Sequence, residues 1–122
     1  MLYLGPVNSS EAKPFFEKSS IEYNKDSICV LCKDGEEVLG FCLFDLDAKK
    51  ITVKYIEPLT DIGLADGILR SSLHVAAERN ILDAFYEDTV PKDLLNKIGF
   101  IKNEEEKRLD IDKLFNSSCN CG

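Results

Sequence analysis

The sequence predicts an α/β domain on a mixed central sheet: an antiparallel meander, then a parallel β-α-β crossover, with helices on both faces. Three observations point to it. Residues 27–32, 38–44 and 51–56 are successive apolar runs, the first two apolar on both alternating faces, as in central strands covered from two sides. The period then changes, and Ala65, Ile68, Leu69, Leu73 and Ala76 recur at helical spacing with Arg70, Glu78 and Arg79 off that face. A further run, 81–86, follows almost at once. Strand, helix and strand with such short links make a crossover whose strands are parallel.

The other elements follow in order. A short strand spans 2–6, and Ser9 and Ser10 offer capping oxygens for a helix through Lys18, with Pro14 restricting where its first turn begins. Lys33-Asp34-Gly35-Glu36 supplies a tight hairpin turn between the first two long strands, and the polar stretch 45–50 leads to the third. The long helix is expected to end near Asn80, a residue tolerated in the left-handed conformation. Thr89 and Pro91 start a second helix that runs through Ile98 and stops at Gly99. Strand-like segments at 100–102 and 107–111 flank a polar turn, and the sheet is complete by about Asp112.

A chain of 122 residues has the length of one domain, here 1–115, and its 44% hydrophobic content supports a core. Lys and Arg number 15 against 22 Asp and Glu, a net charge of −7, which opposes a phosphate-tracking nucleic-acid groove and tolerates or attracts cationic partners such as amines. No apolar run is long enough to span a bilayer, and the first residues lack the basic region of a signal peptide, so a cytoplasmic, membrane-free protein is expected. The five cysteines are expected to be reduced. Cys29 and Cys32 have redox-pair spacing, but an odd offset within a strand puts them on opposite faces, and with Cys42 they read as buried small hydrophobes. Residues 116–122 read as a flexible tail. Its Cys119 and Cys121 suit a soft metal or a reversible disulfide as well as they suit a frayed terminus, and two ligands close no zinc site, so no metal is assigned.

The chemistry concentrates in the turn 60–67, Thr-Asp-Ile-Gly-Leu-Ala-Asp-Gly, which links the third meander strand to the long helix. Gly63 and Ala65 keep side chains clear where the free N–H groups of a first helical turn can hold a phosphate. Gly67 weakens the helix one turn in, which predicts close approach of a ligand or a neighbouring strand. His74 stands four residues from both Arg70 and Glu78, a surface row rather than a triad.

In its order of elements, 63–69 resembles the acetyl-CoA-binding motif of the GNAT N-acetyltransferase superfamily. That motif is Gln or Arg, two variable residues, Gly, one variable residue, then Gly or Ala, and it falls here on Thr60, Gly63 and Ala65. Leu94-Leu95-Asn96-Lys97-Ile98-Gly99-Phe100 looks like the family's helix ending in Gly-Phe, so the resemblance runs from Ser27 to Asp112. It implies a pantetheine arm in the splay between the strand before the motif and the strand after the helix, with the pyrophosphate on the motif's amides. The cofactor residues so implied are Ile56, Ile62, Gly63, Leu64, Ala65, Asp66 and Gly67. An amine would attack the thioester directly, Glu57 being the candidate general base and Tyr86 the candidate acid for the departing thiolate.

Four features depart from the family pattern. Thr60 replaces the Gln or Arg. Asp61 and Asp66 suit a helix N-terminus but repel a pyrophosphate. Leu95 stands where relatives carry a thiolate-protonating Tyr. The wall before the second strand is reduced to one short helix and Ile21-Glu22-Tyr23, so the amine site is open, completed by a second subunit in a homodimer, or absent. Acetyl transfer from acetyl-CoA to an amine is therefore one expectation. A GNAT-fold acyl-CoA-binding or accessory protein without efficient catalysis is the other, and the Cys-x-Cys tail as a thiol- or metal-handling device is a third.

Overall fold

The computed structural model describes residues 1–116 and shows a seven-stranded, mostly antiparallel mixed sheet with four helices. The chain runs β1 (Leu2–Pro6), α1 (Ser9–Lys18), β2 (Ser27–Asp34), β3 (Glu37–Leu46), β4 (Ile51–Glu57), α2 (Ile62–Ala77), β5 (Ala84–Tyr86), α3 (Lys92–Ile98), β6 (Ile101–Asn103), β7 (Arg108–Leu109) and α4 (Lys113–Asn116). The strand order is β1-β2-β3-β4-β5-β7-β6, and only β4 and β5 pair in parallel. The meander and the crossover are thus both present.

Two cores lie on opposite faces of the sheet. On one, Ala65, Ile68, Leu69, Leu73 and Ala76 of α2 and Leu94, Leu95 and Ile98 of α3 share a buried cluster with Val30, Cys32, Cys42, Phe44, Ile51, Val53 and Ile56. On the other, α1 lays Ala12 and Phe16 on Cys29, Leu31, Phe41 and Leu43. Cys29 and Cys32 therefore face opposite sides, as their odd offset requires. Burial raises the pKa of all three thiols, those of Cys29 and Cys42 to about 12.

Several boundaries differ from the sequence reading, each for a local reason. The cap of α1 is Asn8, whose side chain accepts from Glu11 N at 2.9 Å, so Ser9 and Ser10 lie inside the helix, as does Pro14. The run 81–86 yields a strand only at Ala84–Tyr86, because α2 ends at Ala77 and a closing turn follows through Asn80 (φ 61°), with Ile81 N donating back to Ala76 O. Thr89 does not cap α3. Its hydroxyl donates instead to the carbonyl of Lys54, and α3 begins after Pro91 without a side-chain cap. The two last strands are short, and β7 inserts between β5 and β6. Gly35 (φ 63°) makes the tight turn after β2 and Gly99 (φ 73°) ends α3, both in the left-handed region that glycine occupies cheaply.

One irregularity shapes the middle of the sheet. The β3–β4 register passes from Leu43↔Tyr55 to Phe44↔Val53, leaving Lys54 as a bulge with no opposite residue. Its ammonium pairs with Asp45 at 2.8 Å, and Asp45 also accepts from Ser27 Oγ at 2.9 Å and Asn24 Nδ2 at 3.2 Å. Burial works against the charged Lys54, but the hydrogen bond and charge of Asp45 outweigh it and hold the pKa above its ordinary value.

Candidate functional site

The pairing of β4 with β5 stops early. Ile51, Thr52 and Val53 pair with Ala84, Phe85 and Tyr86, and the last main-chain bond runs from Glu87 N to Val53 O at 3.0 Å. Beyond the bulge β4 continues through Tyr55, Ile56 and Glu57 along β3, while the chain after β5 turns away toward α3. The two parallel strands splay. Counting the alternation on from Val53 and across the bulge places the main-chain N–H and C=O of Ile56 on the open side, where no strand pairs with them. The Ile56 side chain is buried against the α2 core, so it is the backbone that faces the cleft.

Gly40 of β3 keeps this region closed from behind. A Cβ there would lie 2.5 Å from Glu57 O, 2.7 Å from Ile68 Cδ1 and 2.8 Å from Pro58 Cδ, so only glycine lets the end of β4 and α2 approach β3 this closely. A glycine inside an apolar strand run is the sequence signal of such an approach.

The first turn of α2 stands at the end of β4. Asp61 caps it, its Oδ1 accepting from Leu64 N at 3.1 Å, so one outward amide is already occupied by a carboxylate. The N–H groups of Ile62 and Gly63 precede the helical bonding pattern and stay outward. Asp66 Oδ2 accepts from Arg70 Nε at 3.1 Å, whereas Asp66 Oδ1 is buried with no hydrogen-bond partner. Ala65 is buried against the sheet, and nothing lies within 4 Å of a Cβ added at Gly67, so no neighbouring strand explains that glycine. Leu64 packs partly against the core.

Glu57 and Tyr86 do not meet. Glu57 lies on the α1 side, its Oε2 accepting from Tyr55 OH at 2.9 Å, and burial and then this bond push the Tyr55 phenol pKa up. Tyr86 belongs to the opposite, α2-side cluster and stands beside Val53, four residues back along β4. Its side chain lines a cavity of about 370 Å³ with Asp88, Val90, Pro91, Lys92, Glu104 and Lys107, where Lys92–Glu104 and Lys107–Asp88 form ion pairs at 2.9 Å each.

Leu95 is fully buried in the α3 core. His74 is exposed on α2, and Arg70 bonds Asp66 rather than its other row neighbours. Among the described residues no three His, Cys, Asp or Glu side chains are placed to hold a metal ion, and no helix is long and apolar enough to cross a membrane. Cys119 and Cys121 lie outside the described residues. No protein-family model matches the chain, and no curated protein matches it.

Proposed function

We propose that this chain is a GNAT-type acyltransferase that moves an acetyl group from acetyl-CoA to an amine. The observation that carries the reading is the splay: the β4–β5 ladder ends at Val53 and Tyr86, while α2 begins at Ile62 beside the free end of β4. A pantetheine arm, an extended chain bearing amides, matches the strand-like donor and acceptor of Ile56. The amides of Ile62 and Gly63 suit a phosphate, with the α2 dipole behind them.

Acetyl-CoA supplies an activated carbonyl; the chain's part is to orient it and to manage protons. The amine nitrogen forms the new bond to the carbonyl carbon, the tetrahedral intermediate collapses, and the carbon–sulfur bond breaks with the electron pair leaving on sulfur. Glu57, at the end of β4, takes the ammonium proton on the α1 side of the cleft. Tyr86 stands on the other side of the sheet, where a thiolate leaving toward α3 would meet it.

A second reading rests on Asp61. Its carboxylate already fills the Leu64 amide and stands where a pyrophosphate would lie, which favours a GNAT-fold protein that binds acyl-CoA weakly, without efficient turnover. Calorimetry with acetyl-CoA, followed by a thiol-release assay over a panel of amines, separates the two. Binding with release supports the transferase; binding without release supports the accessory protein. Gly63→Trp, at an exposed position where a Cβ meets nothing closer than Asp61 Oδ1 at 3.8 Å, is expected to fold and to abolish binding. Absence of heat at millimolar acetyl-CoA removes both readings.

A further inference from the structure

On the α1 face, three aromatic rings line up beside a carboxylate. Phe15 of α1 lies 4.9 Å from Phe41 of β3, centroid to centroid, and Phe41 lies 5.9 Å from Tyr55 of β4. Tyr55 OH donates to Glu57, and Glu57 is the residue directly opposite Phe41 across the β3–β4 pair. Above this row sits Lys18, whose ammonium is 4.9 Å from the Phe15 ring and 5.0 Å from the Phe41 ring. Among the described residues, Lys18, exposed at the C-terminal end of α1, has no carboxylate within ion-pair distance, and Glu57 has no cationic partner. One patch therefore holds a cation without an anion and an anion without a cation, joined by ring faces that attract positive charge.

We propose that this patch is a binding site for an alkylammonium group supplied by another molecule, and that Lys18 is its resident stand-in. A primary ammonium on a short alkyl stem satisfies both halves at once: its charge reaches Glu57 while its stem and ammonium lie on Phe15, Phe41 and Tyr55. Lys18, tethered to α1, covers the rings without pairing with the carboxylate, so a free ligand gains a contact that the tethered one lacks. Phe15 and Tyr55 are half-buried and Phe41 is 1% exposed, so the ligand meets the edge of this row as the exposed Lys18 side chain swings into water. The acidic balance of the chain, −7 overall, raises the local concentration of such cations. This inference deepens the acyl-transfer reading and rests on it for the ligand's role, since Glu57 is the proposed base, while packing and charge carry the site itself.

The test is a titration of the full chain with n-butylammonium, followed by NMR on the aromatic resonances, with 1-butanol as the uncharged control and no acyl-CoA present. Saturable shifts centred on Phe15, Phe41 and Tyr55 are expected, absent with 1-butanol. Removing the resident cation with Lys18→Ala is expected to tighten binding about two- to fivefold, the loss of one exposed cation–π competitor, and Lys18→Met, which keeps the stem but not the charge, to tighten it less. Glu57→Gln is expected to weaken it by a comparable factor. Equal shifts with 1-butanol, shifts elsewhere on the protein, or Lys18→Ala binding no tighter than the parent would overturn the proposal. A null result here leaves the acetyl-CoA calorimetry unaffected, and the reverse also holds, so each idea fails on its own measurement.

Discussion

Gly40 shows how much one missing Cβ decides. Its neighbours at 2.5–2.8 Å include a main-chain carbonyl that has no rotamer by which to retreat. Gly40→Ala is therefore expected to cost about 1–3 kcal/mol, as overpacking does in a close-packed interior, and to disturb the end of β4 where Glu57 stands. Urea unfolding measures the first effect and acetyl-CoA calorimetry the second; an alanine variant as stable as the parent would contradict the close approach. The buried thiols give a pH signature at the same scale. Burial raises Cys29 and Cys42 from 9.0 to about 12, in Cys29 with help from Glu11 and against the opposing charge of Lys18. The unfolded chain releases these protons first, so the stability from this source is complete below about pH 9 and lost as pH rises toward 12. Urea midpoints are expected to fall between about pH 8 and about pH 10.5, and less steeply in Cys42→Ala. Alkylation mapped by mass spectrometry should find Cys29, Cys32 and Cys42 unlabelled in the native protein and labelled in denaturant.

At the scale of elements, the N-terminus of α2 holds two opposed demands. Asp61 stabilises the helix by accepting from Leu64 N, and the same carboxylate fills the electropositive site a phosphate would use. Asp61→Asn keeps a capping oxygen and removes the charge. It is expected to leave the melting temperature nearly unchanged while tightening acetyl-CoA binding several-fold. Asp61→Ala loses the cap and about 1 kcal/mol of stability. Unchanged affinity in both variants would place the phosphates away from this turn. The other informative element is β4. Its bulge at Lys54 bends the strand, and the Lys54 carbonyl, turned toward Thr89, marks where β5 parts from it. The cleft is thus a consequence of strand geometry, not of a loop inserted for the purpose.

For the whole molecule, the two cores predict an order of local stability. β2 and β3 are paired on both sides, β4 is paired on both sides as far as Val53, and both faces of this part of the sheet are covered, whereas β6 is an outer strand and β7 has only two residues. Native-state hydrogen exchange is expected to be slowest in the paired amides of β2, β3 and the first half of β4 and fastest in the β6–β7 pair, whose connecting turn lines the cavity beside Tyr86 with Glu104 and Lys107. The reverse order would mean that this outer pair is not the least stable part of the sheet. The many exposed ion pairs contribute little to stability, so added salt should shift it only slightly.

Much of this architecture was legible beforehand, because its causes are local. The apolar stripe on α2, the turn at Gly35 and the stop at Gly99 each follow from side-chain period or from a residue that tolerates positive φ. The caps were harder. Asn8, Ser9 and Ser10 are all competent capping residues, and only the packing of Ala12 and Phe16 on the sheet selects which of them begins the helix. The candidate site was legible only in part: the sequence offers the turn 60–67 as a candidate, but not Gly40, the Lys54 bulge or the Lys18–Phe15–Phe41–Tyr55 row. These depend on contacts between residues distant in the chain, and a periodicity count contains no term for them. The sequence by itself determined the kinds of elements, their order and the parallel crossover, since hydrophobic period and short links dictate those. Tertiary structure alone decided that β4 and β5 splay, that Glu57 and Tyr86 stand on opposite faces, and that Lys18 rests on two rings. The reason is physical: register and face are set when strands pair, and a single bulge resets both.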